Sequence, residues 1–182
     1  TTDYGQSGLA LDPPGVRIAR LAESVEILKR CFAEGSFDFD GEHYTVRGHD
    51  GQPTCIQLPH PPFLLGGGGR KMLSLAAQEA EIVGLNANMA AGVIDQRAGT
   101  SATVEATDRK LGWIRDAAGD RFADIELQTR VHMSQITDDP IGLAELMAPA
   151  LGLDAEAALA SPHVLVGSSG QCVETLLAWR ER

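Results

Sequence analysis

The run Gly66-Gly67-Gly68-Gly69-Arg70 stands between the apolar triplet Phe63-Leu64-Leu65 and a stretch with helical spacing. Without side chains, these residues let backbone N–H groups approach an anion, and the N-terminus of the helix that follows adds partial positive charge, so the loop suits a phosphate. Arg70 can add a charge-assisted contact. The competing reading is a turn that only joins strand to helix. Against it stands the chain entropy of consecutive glycines, roughly 1 kcal/mol each relative to alanine.

Other candidates are single residues. Asn86 and Asn88 follow the next apolar run, where side-chain amides can orient a substrate or the polar edge of a cofactor; turn chemistry explains them equally well. His132 has the chemistry of a general base, but a half-buried strand histidine is the commoner role. Gly167, Ser168 and Ser169 precede the last helix, either as an anion site or with serine as its cap. His43 and Tyr44 fit hairpin packing, and His60 before Pro61 reads as surface. No two histidines have metal-ligand spacing, and no GxSxG, Cys-His or paired-carboxylate signature supports a hydrolase.

These residues need elements to hold them. Residues 1–15, with three Gly and two Pro, read as a loop. Val16, Leu21, Val25, Leu28 and Phe32 line one face of a helix that ends near Gly35. FDFDGEHYTVRG alternates and turns at Asp40-Gly41, a dipeptide that accepts the positive φ of a tight hairpin. Phe63 to Leu65, a helix over 70–79 and Ile82 to Leu85 then form a strand, loop, helix, strand unit, the crossover of a parallel sheet.

Residues 86–106 read as a long loop, and Thr107 or Asp108 caps a helix to about Ala118. A third strand is predicted within 122–136, a helix over 140–151, a short one near Asp154, and a fourth strand over 163–166. The last helix runs over 172–182 with Val173, Leu176 and Leu177 along one side. The fold class is therefore α/β, with about four parallel strands, flanking helices and a β-hairpin, in a single domain over 1–182.

With 25 acidic against 15 basic residues the formal charge is −10, which disfavours nucleic acid or an anionic membrane and favours a small-molecule ligand. The 43% hydrophobic content suffices for a core. Cys31, Cys55 and Cys172 encode neither a disulfide framework nor a zinc site, so reduced, cytoplasmic thiols are expected. No run approaches the ~18 apolar residues of a membrane span and no signal peptide is visible. The chain begins Thr1-Thr2-Asp3 without Met.

Three stretches carry a family resemblance: DYGQSGLALDPPGVRIARLAESVEILKRCF with FDFDGEHYTVRG, then QLPHPPFLLGGGGRKMLSLAAQEAEIVGLN, and more weakly VLVGSSGQCVETLLAWRER. Together they resemble the luciferase-like monooxygenase superfamily, closest to its coenzyme F-420-dependent oxidoreductase branch. The resemblance implies the C-terminal half of a TIM-barrel (β/α)8 fold, a partial barrel beginning after the fourth strand. It implies hydride transfer or monooxygenation with coenzyme F-420, favoured by the branch, or FMN. Gly66, Gly67, Gly68, Gly69 and Arg70 would then hold the cofactor phosphate, Asn86 and Asn88 would face the substrate, and Tyr4 and Arg17 would help wall the cofactor. The alternative is a non-catalytic truncated barrel that binds flavin or a partner subunit. A half-barrel exposes strand edges, so a homodimer, or association with the missing half, is expected.

Overall fold

A computed structural model describes residues 2–33, 35–88 and 96–181. They form two compact units, Thr1–Phe63 and Leu64–Arg182.

In the first unit, α1 (Thr2–Gln6) occupies part of the expected N-terminal loop, and α2 (Pro14–Phe32) starts two residues earlier than predicted. Pro14 explains the early start, because its fixed φ suits the first turn and its missing N–H would have had no intrahelical partner there. The hairpin pairs β1 (Ser36–Asp40) antiparallel with β2 (Thr45–Asp50). Phe37 faces His49 and Phe39 faces Val46, so β2 carries an extra residue in a bulge where Gly48 takes φ 55° and donates its N–H to Asp38 at 2.6 Å.

The turn differs from the two-residue type predicted. Four residues, 41–44, link the strands, and Gly41 does not take a positive φ. A Cβ on Gly41 would instead collide with the Glu23 carboxylate. That carboxylate reaches from α2 into the turn and accepts backbone N–H groups from Glu42 at 2.8 Å, His43 at 3.0 Å and Tyr44 at 3.0 Å. Desolvation pushes its carboxyl up, but the N–H donors of residues 43, 42 and 44 outweigh it and hold the group below its ordinary value.

The second unit holds the parallel strands. β3 (Leu64–Gly67), β4 (Ile82–Leu85) and β5 (Glu126–Thr129) form a sheet in that order, with Leu65 opposite Val83 and Val83 opposite Leu127. α3 (Arg70–Glu79) and α5 (Val104–Ala118) make the crossovers. Leu73, Ala76, Ala77, Val83, Leu85, Leu111 and Ile114 form the core between helices and sheet. Small residues on α3 let α5 and the sheet approach closely. Arg121 donates to the Ala77 and Ala80 carbonyls at 2.6 and 2.9 Å, capping the end of α3 with a cation where the helix dipole favours one.

The predicted third strand is two strands. Residues 119–124 form a 3₁₀ turn, then come β5 and, after a break at 130–132, β6 (Met133–Ile136), which pairs in parallel with β7 (Val164–Gly167). A continuous alternating pattern could not reveal that its two halves pair with different neighbours. The expected loop over 86–106 also contains structure: α4 (Gln96–Thr100) lies within it, and Thr103, not Thr107 or Asp108, caps α5 by accepting from Ala106 N at 3.2 Å. Residues 89–95 lie outside the described residues.

α6 (Pro140–Met147) and α7 (Ala155–Ala160) start at Asp139 and Asp154, each accepting a helix N–H. α8 (Ser169–Arg180) starts three residues before the predicted 172. Among the described residues, β3 is hydrogen-bonded on its β4 side only and β7 on its β6 side only.

The turn clamp generates a prediction. Because the folded-state acidity of Glu23 is raised, its contribution is present above its ordinary value of 4.5 and disappears as pH falls through the lower folded value. Glu23→Gln should speed amide hydrogen exchange at Glu42, His43 and Tyr44 at neutral pH and should remove the acid-induced loosening of that turn. Unchanged exchange in the variant would show that the carboxylate does not hold the turn.

Candidate functional site

The 66–70 loop leaves the sheet at the carboxyl end of β3 and enters α3. Three of its glycines are demanded by packing. A Cβ on Gly66 would lie 2.9 Å from Asn86 Nδ2, one on Gly67 would collide with Met72, and one on Gly68 would collide with the Ala87 carbonyl. These absences let the exits of β3 and β4 lie against each other, joined by the Asn86 N–H to the Gly67 carbonyl at 3.0 Å.

Gly69 is different. A Cβ there would meet nothing within 4 Å, and Gly69 stands at the N-cap of α3 with φ −112° and ψ 153° and no side-chain cap. The first turn of α3 therefore presents N–H groups that no side chain caps, beside open space. Arg70 is exposed, with no ion pair among the described residues. The loop keeps the features of an anion cradle, concentrated at Gly69 and the start of α3.

Asn86 is half-buried, and Asn88 is exposed with its N–H donated to Ser101 Oγ at 2.6 Å. The exit of β4 is tied down by a residue that sequence reasoning passed over. Lys110 on α5 is only 2% exposed, and its Nζ donates to the Asn86 carbonyl at 2.7 Å and the Ser101 carbonyl at 2.5 Å. Burial, with a smaller contribution from the Arg109 charge, pushes its pKa down to about 8. The signal was present: Thr107, Lys110, Leu111 and Ile114 share one buried helix stripe, and a lysine on such a stripe needs buried acceptors.

These loops border a cavity of about 750 Å³ in the second unit. Gly67, Gly68 and Asn86 line it, as do Ala98 and Ala102 from the 96–103 region, Met147 at the end of α6, and Leu151 and Leu153 after it. Arg130 and His132 line it from the break between β5 and β6, and His163 lines it from the position just before β7. Thus the structure brings together Gly67, Gly68, Asn86 and His132, whereas Gly66, Gly69, Arg70 and Asn88 are not among the lining residues.

His163 is 2% exposed. Its Nδ1 lies 2.9 Å from the Arg130 carbonyl, which can only accept, so Nδ1 carries the proton and Nε2 is a bare acceptor. Among the described residues Nε2 has no hydrogen-bond partner. Burial lowers the imidazole pKa, the Arg130 carbonyl opposes this, and the charges of Lys110 and His132 lower it further, so the ring is neutral. The His132 ring sits over it, centroids 5.4 Å apart. At the other candidate loop, Ser168 caps α8 in a reciprocal pair with Gln171, and Tyr4 on α1 is 42% exposed.

Lys110→Met should remove the donor from two carbonyls and lower the unfolding free energy by about 2 kcal/mol at neutral pH. The folded-state pKa of about 8 lies below the ordinary 10.5, so the unfolded chain holds more protons between those values, and wild-type stability should rise with pH across that window. The variant should lack that rise. Denaturant unfolding at several pH values checks both, and parallel pH profiles would rule out a buried Lys110 ammonium.

Comparisons with known proteins give the lineage. Over 77 residues the chain is 27% identical to an FMNH2-dependent dimethylsulfone monooxygenase of Pseudomonas putida, a match covering 42% of this chain and 21% of that protein. In fold it is similar to a monooxygenase from Streptomyces bottropensis, with TM-score 0.61, 19% identity, and coverage of 99% of this chain and 54% of that one. It is also similar to the coenzyme F-420-dependent tetrahydromethanopterin reductase of Methanopyrus kandleri, with TM-score 0.52, 18% identity, and coverage of 76% and 41%. The chain thus spans about half the length, or less, of the proteins it matches, and its two parallel sheets with flanking helices are part of a (β/α)8 barrel. The sequence model of the luciferase-like monooxygenases matches residues 1–123, well over half of the chain, and the protein therefore belongs to the luciferase-like monooxygenase family.

Proposed function

We propose that this chain is the C-terminal half of a flavin- or deazaflavin-dependent oxidoreductase barrel that holds the cofactor phosphate on the 66–70 loop. The observation that carries the reading is the start of α3, where no side chain caps the N–H groups and the Cβ direction of Gly69 is open. This fits a phosphate, which accepts several N–H donors at a helix N-terminus. Arg70 supplies a cation free of ion pairs among the described residues. Gly66, Gly67 and Gly68 keep the two strand exits close, and Asn86 offers its amide to substrate at the cavity, with Asn88 two residues further along the same exit and outside the lining.

Coenzyme F-420 is the preferred cofactor on the branch resemblance and FMN the other; either supplies a ring that accepts or donates hydride. Around it the chain's own work is to bind, orient and shield. The reaction belongs to the cytoplasm in this reading, in keeping with Cys31, Cys55 and Cys172 as free thiols, and no helix among the described residues is long and apolar enough to cross a membrane.

Spectroscopic titration with coenzyme F-420 and with FMN tests the reading. Gly69→Asp separates fold from ligand: the new carboxylate caps α3, which adds a few tenths of a kcal/mol of stability, while it repels a phosphate from the same N–H groups. The melting temperature should rise and cofactor affinity should fall more than about ten-fold. Affinity unchanged by Gly69→Asp would remove the phosphate from this loop.

A second reading, a non-catalytic half-barrel that pairs with a partner subunit, is favoured by the open strand edges of the second unit. β3, β5, β6 and β7 each have one unpaired side among the described residues, and Leu64 on β3 and Ile136 on β6 are 55% and 64% exposed. We expect the isolated chain to form a homodimer. Sedimentation showing a clean monomer at micromolar concentration would argue against this pairing.

A further inference from the structure

The cavity has a lining that points to one class of ligand. Its walls are short and aliphatic, chiefly Ala98, Ala102, Met147, Leu151, Ala158 and Val164, with no Phe, Tyr or Trp among the described residues. No aspartate or glutamate among the described residues lines it either, although the chain has 25 acidic residues and a charge of −10. Among the described residues the only permanently charged lining side chain is Arg130. Arg20, Arg30 and Arg47 each hold a carboxylate within 2.9 Å, and Arg121 is spent on two carbonyls, but the exposed Arg130 guanidinium has no hydrogen-bond or ion-pair partner among the described residues. Its backbone is held all the same. Thr129 is in register with Leu85 at the end of the sheet, and the Arg130 carbonyl accepts from His163 Nδ1 at 2.9 Å.

From this arrangement we propose that the cavity binds an organic anion, its apolar body against the aliphatic walls and its carboxylate paired with Arg130, as the substrate class of the oxidoreductase reading on which this assignment rests. An apolar wall gains from burying hydrocarbon but penalises a bare charge, so a ligand with an anionic end needs its cation at the rim. A guanidinium meets a carboxylate with two parallel N–H donors. His132 beside it is compatible with an anion, whereas a carboxylate on the lining would have opposed one.

Calorimetric titration of the full chain with 2-naphthoate and with 2-naphthol at neutral pH and low salt reads the charge separately from the ring. Naphthoate should bind about ten-fold tighter than naphthol, the scale of one charge-assisted contact. Arg130→Met should erase that preference with naphthol affinity unchanged, Arg130→Lys should keep part of it, and added salt should shrink it. Equal binding of the two probes by the wild type, binding of neither, or a preference that survives Arg130→Met would overturn the proposal. Loss of coenzyme F-420 or FMN affinity in Arg130→Met by the same factor would also overturn it, by giving Arg130 to the cofactor. If the wild type binds neither cofactor but keeps the naphthoate preference, the oxidoreductase reading fails while Arg130 remains an anion site.

Discussion

Lys110 places a cation on the α5 stripe that otherwise buries Thr107, Leu111 and Ile114, and its Nζ holds the Asn86 and Ser101 carbonyls at 2.7 and 2.5 Å. Taking an ammonium out of water costs several kcal/mol, and an apolar residue would fill the stripe without that cost. What an apolar residue cannot do is satisfy two carbonyls turned inward from irregular backbone. The exit of β4 and the 96–103 segment both border the cavity, so its wall depends on this one amine. The same charge helps keep His163 neutral, which leaves Nδ1 as the proton carrier that fixes Arg130.

Glycines gain a different meaning once their neighbours are visible. Four in a row suggest a loop stripped of side chains for a ligand, yet Gly66, Gly67 and Gly68 are explained by what a Cβ would strike inside the protein. Only Gly69 is left to argue for a ligand. Gly41 repeats the lesson in the hairpin, where the dipeptide rule expects a positive φ but the residue makes room for the Glu23 carboxylate. Composition says that a side chain is missing, and only tertiary structure says for whose benefit.

Local signals made much of the fold legible. The amphipathic period of α2, the alternation of the hairpin and the apolar runs on either side of α3 each depend on neighbours a few residues away, and each was placed correctly apart from its ends. The break at 130–132 was hidden because it depends on which strand pairs with which half of 126–136, a long-range fact. α4 was hidden because its five residues carry too little periodicity to stand out. In the site, Gly67, Gly68 and Asn86 were legible as glycine or polar residues at strand exits, and His132 only as a histidine inside a predicted strand, a strand that the structure breaks at 130–132. Lys110, Arg130 and His163 were not, since a charged or polar residue inside a strand or helix pattern reveals its role only through the partners that surround it.

The candidate site and the open sheet edge are one region of the molecule. β3 is both a strand with a free side among the described residues and the strand that delivers Gly66 and Gly67 to the loop. A strand added in parallel along Leu64–Gly67 would satisfy the unpaired edge and would end, at its own carboxyl terminus, level with Gly68, because parallel strands in register bring their exits to the same side of the sheet. Residues from that added strand's loop would then complete the surroundings of the α3 N-terminus. If the 66–70 loop holds a cofactor phosphate as proposed, covering the edge would also complete its surroundings, and the pairing state of the chain and its affinity for a cofactor would then be linked quantities, each favouring the other by mass action.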